Sequence, residues 1–147
     1  MYCSVVSPCQ QWCYTPIMNG YVVNLEQETL RNDSFRKVLY TAQHSQLVLM
    51  SLLPGEDIGE ETHTLDQFIR IDSGSGKTVL NGVEHELSNG FAIVIPAGVK
   101  HNIINTSDKP MKLYTVYSPP EHQDGIVRAT KAEAVAREEH FDGVTTE

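Results

Sequence analysis

Between residues 35 and 117 the chain reads as short apolar runs separated by closely spaced turn signals. The runs are Phe35–Tyr40, Ser45–Leu53, Asp66–Ile71, Lys77–Leu80, Phe91–Ile95, Asn102–Asn105 and Met111–Tyr117. Pro54-Gly55, Ser73-Gly74-Ser75-Gly76, Asn81-Gly82, Asn89-Gly90, Pro96-Ala97-Gly98 and Ser107-Asp108-Lys109-Pro110 punctuate them. Runs this short, rich in Val, Ile, Leu, Phe and Tyr and bounded by Gly, Pro and Asn, are strands. The expected fold is all-β, a small antiparallel sandwich or barrel. Asn81-Gly82 is the clearest hairpin, because Asn-Gly accepts the positive φ angles of a two-residue type I′ turn. Only Thr130–His140 reads as helix: Thr130 can cap it, Glu133 completes a capping box, and Ala132, Ala134 and Ala136 favour it. That tail has little apolar surface and is expected to pack loosely or against a second subunit.

Strand alternation sorts several side chains by face. Tyr114 and Tyr117 fall on opposite faces of the last run, so at most one lines an interior. Phe68 and Arg70 point away from the face shared by Gln67, Ile69 and Ile71, toward an outer surface or a dimer contact.

The length of 147 residues suits one domain. Eleven Lys and Arg against nineteen Asp and Glu give a net charge of −8, the wrong sign for a nucleic-acid surface. No stretch approaches the roughly 20 apolar residues of a membrane span, and no signal-peptide pattern opens the chain, so a cytoplasmic protein is expected. Cys3, Cys9 and Cys13, with the sole tryptophan Trp12, crowd the start. Their spacing lacks a nearby His to complete a zinc site, and the odd count leaves a thiol over. Residues 1–17 therefore read as an extension to the ordinary protein, followed by a barrel over 18–120 and a tail over 121–147.

The chemistry begins at Glu61-Thr62-His63-Thr64-Leu65-Asp66-Gln67. In an extended chain the even spacing of Glu61, His63 and Gln67 puts all three on one face. His101, after the turn at Pro96–Val99, is a fourth candidate, with Asn105 four residues on. A competing arrangement leaves Glu61 solvated on the rim beside Glu56, Asp57 and Glu60, with His63 hydrogen-bonded to Gln67. His44 and His85 read as surface residues. His122, in Ser118-Pro119-Pro120-Glu121-His122-Gln123-Asp124-Gly125, belongs to a stiffened segment placed to cross the barrel mouth, and is a candidate catalytic residue.

These two segments resemble the paired motifs of the cupin superfamily. The first family motif runs Gly, five residues, His-x-His, three or four residues, Glu, six residues, Gly. Gly55, Glu61, His63, Gln67 and Gly74 keep its frame, with Glu61 in place of the first His and Gln67 in place of the Glu. The second runs Gly, five residues, Pro-x-Gly, two residues, His, three residues, Asn, and Gly90, Pro96, Gly98, His101 and Asn105 match every fixed position. The resemblance spans about residues 35–118 and implies a double-stranded β-helix, or jelly-roll barrel, with a short C-terminal helix.

It also implies one divalent transition metal (Mn, Fe, Co, Ni or Zn) held by Glu61, His63, Gln67 and His101. The usual cupin set supplies one negative charge from its carboxylate; here that charge has moved to Glu61, so four donors and one charge are kept. A small-molecule substrate and a homodimer are implied as well. The expected activity is a metal-dependent isomerase or lyase acting on a carbohydrate-like or hydroxy-carbonyl compound, with Glu61 as ligand and, off the ion, as base. Alternatives are an Fe(II)-dependent dioxygenase and a barrel that binds a small molecule without turning it over. No Walker loop, dinucleotide fingerprint or Gly-x-Ser-x-Gly elbow is present.

Overall fold

The structure, a computed structural model, describes residues 17–147. The cysteine cluster and nearly all of the expected N-terminal extension lie outside the described residues. In chain order the elements are α1 (Leu25–Arg31), β1 (Arg36–Thr41), β2 (Gln46–Leu52), β3 (Asp66–Ser73), β4 (Gly76–Leu80), β5 (Val83–Leu87), β6 (Ala92–Ile95), β7 (His101–Ile104), β8 (Met111–Ser118), β9 (Val127–Arg128) and α2 (Lys131–Ala136). All seven expected strands are present, with ends shifted by at most two residues.

The strands form two antiparallel sheets, one ordered β6-β3-β8-β2-β1-β9 and the other β5-β4-β7. Single bridges of Asp57 to Ile104 and Glu61 to His101 continue the smaller sheet beyond β7. Between the sheets lies the core, built from inward residues that alternate along each strand: Val48, Met50, Ile69, Ile71, Ile93, Ile95, Ile103, Leu113 and Tyr117 are all buried. This is the antiparallel barrel expected from the strand pattern, in the jelly-roll form that the family resemblance implies. The Asn81-Gly82 turn has φ of 47° and 83°, both positive as a type I′ turn requires. At Gly76 a Cβ would lie 2.1 Å from the Ile104 carbonyl oxygen, so the strands β4 and β7 meet there only because the residue has no side chain.

Ahead of the tail, α1 and β5 depart from the expected list, each for a local reason. α1 has no apolar stripe to announce it: Thr29 is its buried residue and Leu30 is exposed. The helix forms because Asn24 accepts from the Gln27 N–H, with Glu26 and Glu28 in the first turn and Arg31 in the last complementing the backbone dipole. It packs against β2, β3 and β8, which is why Leu49 and Ser51 are buried on the outer side of β2. β5 is an edge strand whose only buried residue is Leu87, so its pattern carries almost no apolar signal. His85 sits on it, exposed, and His44 is exposed in the turn before β2.

The tail also differs. α2 is shorter than the expected helix, ending at Ala136 with Arg137 as its cap, although Thr130 does accept from the Glu133 N–H. The tail does not pack loosely: it closes over its own barrel. Ala134 is buried, Phe141 N–H donates to Glu121 O, and Thr146 exchanges hydrogen bonds with Thr41. Polar and ionic contacts hold it down, among them the pairs Lys131–Asp57 and Arg128–Glu139, so its low apolar content misleads. Val127–Arg128 pairs with β1, extending the large sheet past residue 120.

On the outer face Phe68 tilts against Tyr114 at 6.3 Å, and Arg70 is exposed, as alternation predicts. No helix of the described residues is long and apolar enough to cross a membrane.

Candidate metal centre

Glu61, His63 and His101 come together at one end of the barrel, with ligand atoms within 4.8 Å of one another. His101 opens β7 and is 3% exposed. Its Nδ1 lies 2.9 Å from the Val99 carbonyl, which can only accept, so Nδ1 carries a proton and the neutral ring presents its lone pair at Nε2. That Nε2 is buried and has no hydrogen-bond partner among the described residues. Backbone bonds in both directions between Glu61 and His101, each 2.9 Å, fix the two residues side by side. Glu61 Oε2 stands 3.1 Å from His63 Nε2 and 4.0 Å from His101 Nε2. Two ligands each about 2.1 Å from one ion can span such a separation.

His63 is positioned from both sides of the chain. Gly98 N–H donates to its carbonyl at 2.8 Å, and its ring lies edge-on to Tyr117 at 5.9 Å. The Glu61 hydrogen bond pushes its pKa above the usual imidazole value, with Glu61 and Glu121 charges adding to the effect against burial and Arg36. The rim arrangement is therefore not the one adopted: Glu61 bonds to His63, and Gln67 bonds elsewhere.

The single extended face expected for Glu61, His63 and Gln67 is interrupted. Bends at Thr64 and Leu65 separate the first two residues from β3, where Gln67 sits. Gln67 is nonetheless interior, in register with Tyr117 of β8, with Nε2 donating to Thr115 Oγ1 at 3.1 Å. Its Oε1 is buried without a partner among the described residues. An idle amide oxygen, an idle imidazole nitrogen, a second imidazole and a carboxylate form a mixed N/O donor set that fits a divalent transition metal.

His122 lies just behind this cluster. Gln46 clamps its backbone, receiving from its N–H at 2.9 Å and donating to its carbonyl at 2.7 Å. Its ring is edge-on to Tyr117 at 5.2 Å, so Tyr117 stands between His122 and His63. Burial, reinforced by the charge of Arg36, pushes the His122 pKa down to about 3. Glu139, whose carboxylate lies 3.5 Å from Nδ1, opposes this shift only weakly. A histidine held neutral in the fold but free to protonate when unfolded makes the protein less stable as pH falls below about 6.5, with no effect above it. At about 1.36 kcal/mol per pH unit, some 2 kcal/mol is lost by pH 5. Thermal unfolding across pH 5–8 checks this: His122→Gln flattens the acid side of the profile, and an unchanged slope contradicts the assignment.

A cavity of about 110 Å³ opens beside the cluster, bordered by Glu61 and His122 and roofed by the tail residues Ala134, Glu138 and Glu139. Arg36, Glu121 and Glu139, all on its wall, escape sequence reasoning. Arg36 had one signal, a charged residue sharing the inward parity of Val38 on β1. Asn105 proves structural: it is fully buried and its Nδ2 reaches the carbonyls of Leu52, Leu53 and Lys109.

The sequence is also similar to known proteins. It is 46% identical over 126 residues to the uncharacterized protein YrkC of Bacillus subtilis, covering 81% of this chain and 68% of YrkC. It is 50% identical over 113 residues to the uncharacterized protein L612 of Acanthamoeba polyphaga mimivirus, covering 73% of this chain and 70% of that one. A crystal structure of a Bacillus halodurans protein superposes with a TM-score of 0.78 at 46% identity, over 80% of this chain and 94% of that one. The family described as Cupin domain matches residues 48–117, a span that runs from β2 to β8 and contains Glu61, His63, Gln67 and His101. By fold and by sequence the chain belongs to the cupin superfamily.

Proposed function

We propose that this cupin binds one divalent transition metal through Glu61, His63, Gln67 and His101 and acts as an isomerase or lyase on a hydroxy-carbonyl or carbohydrate-like small molecule. The observation that carries the reading is the buried His101 Nε2, its lone pair fixed by the Nδ1–Val99 bond and left without a partner among the described residues, beside the Glu61 carboxylate. A buried polar atom left idle is costly unless something binds it. When bound, a metal there supplies Lewis-acid polarisation of a carbonyl or hydroxyl.

The chain's own groups do the rest. Glu61 is 29% exposed at its side chain and borders the cavity, so its carboxylate, once off the ion, can take a proton from a carbon next to a carbonyl. His122, held neutral by burial, lines the same cavity and can donate its ring N–H to a substrate oxygen. Burial raises the Tyr117 pKa, which keeps its hydroxyl protonated between the two histidines. The tail residues Ala134 and Glu139 line the cavity on the side of α2.

The test is metal-dependent exchange of carbon-bound hydrogen with solvent deuterium, followed by NMR on a panel of 2-hydroxy aldehydes, ketoses and hydroxy acids. The expected result is incorporation by protein carrying stoichiometric metal and its loss in Glu61→Gln. Oxygen consumption with Fe(II), without deuterium incorporation, contradicts the proposal.

A further inference from the structure

The cavity beside the metal centre contains an arginine with almost nothing to hold. Arg36 is 9% exposed, and its side chain makes no hydrogen bond among the described residues. Its one ionic contact is loose, Nη1 to Glu139 Oε1 at 3.7 Å, and its Cζ lies 5.7 Å from the Phe35 ring centre. Glu139 is engaged elsewhere: its Oε2 accepts from Arg128 Nη2 at 3.0 Å. Two guanidinium groups thus share one carboxylate, and Glu139 Oε1, Arg36 Nε and both ring nitrogens of His122 are buried without hydrogen bonds among the described residues.

The other acids of the wall do not relieve Arg36. Glu61 bonds to His63, Glu121 stands 3.3 Å from His140 Nδ1, and Glu138 is exposed. The neighbouring cation, Lys131, is paired with Asp57. A guanidinium whose Nε is buried without a partner and whose one ionic contact is loose is an unfavourable arrangement for stability alone, because the desolvation of that edge is not compensated. Its planar fork matches a carboxylate.

We propose that this cavity binds a short-chain carboxylic acid, its carboxylate on Arg36 beside His122 and its other end toward Glu61. This rests on the proposed function only for where that other end goes; the carboxylate site stands on Arg36. The size follows from the volume: about 110 Å³ is room for three or four waters at about 30 Å³ each, and so for a molecule of a few carbons.

The probes are lactate, glycolate and pyruvate, against lactamide, which keeps the shape of lactate and removes its charge. Binding is measured by titration calorimetry on protein equilibrated with Mn(II), with metal content measured on each sample. Lactate is expected to bind about tenfold or more tightly than lactamide, and Arg36→Met to lose that preference while keeping the wild-type metal content and an equal or higher melting temperature. Should Arg36→Met not fold, Arg36→Lys decides, since it keeps the charge but loses the fork: lactate binding weaker than wild type supports the site, and an unchanged Kd overturns it. The proposal is also overturned if none of the three acids is preferred to lactamide, or if Arg36→Met binds lactate as wild type does. Wild type that takes up no Mn(II) sinks the metal reading by itself; the lactate and lactamide comparison on that metal-free protein still decides the carboxylate site.

Discussion

Replacing His101 with alanine is expected to weaken divalent-metal binding by about 100-fold or more while the barrel stays folded. Losses of 10–100-fold follow when groups that merely orient a ligand are removed, and His101 is proposed as a ligand itself. Without its Nε2 the remaining donors of the proposed set are one imidazole, one carboxylate and one amide oxygen. The fold should survive because His101 contributes to the sheet through its backbone, bonded to Glu61 in both directions. Competition against a chromophoric chelator reads the affinity, and circular dichroism reads the fold. An unchanged Kd in a folded variant means that the metal, if bound, sits elsewhere.

Asn105→Ala is expected to act on stability instead. Asn105 is fully buried, and its Nδ2 donates to Leu52 O, Leu53 O and Lys109 O at 3.0, 3.1 and 2.7 Å. Its Oδ1 accepts from Ser107 N at 3.0 Å and Ser107 Oγ at 2.9 Å. Its backbone is tied to Gly55 N–H and Glu56 O, so the residue pins both the end of β7 and the loop that leads toward Glu61. Truncation strips the buried Leu52 carbonyl and the part-buried carbonyls of Leu53 and Lys109 of their donor, at about 1–3 kcal/mol where water does not replace it, and leaves a void, for a total of about 3 kcal/mol. The urea midpoint measures it. A loss below about 1 kcal/mol would show that water or local rearrangement satisfies those carbonyls.

The two motifs that announced the site thus divide into chemistry and scaffold. His101 and Asn105 lie four residues apart in one motif, yet one presents a lone pair and the other a hydrogen-bonding hub. Spacing gave both positions without distinguishing their roles, because roles depend on which groups of distant segments face them.

The same limit explains what the sequence left hidden. Strands with one buried face were legible from alternation, as were the Asn81-Gly82 hairpin and the inward position of Tyr117. β5 was not, because both of its faces are largely solvated, and α1 was not, because its helix is set by a cap and charges. At the site, Glu61, His63 and His101 were legible through family spacing. Arg36 and Glu139 were not, because their meeting joins β1 to a tail that closes over the barrel, which no local pattern encodes. Polar contacts hold that tail in place, so its scarcity of apolar residues suggested a loose segment where the structure shows a roof.

The central claim is that Glu61, His63, Gln67 and His101 hold one metal ion, and anomalous diffraction from crystals grown with Mn(II) tests it most directly. The account predicts a single strong peak within coordination distance of His101 Nε2, His63, Glu61 and Gln67 Oε1, absent in His101→Ala. A map from metal-saturated crystals with no peak among those four residues contradicts it.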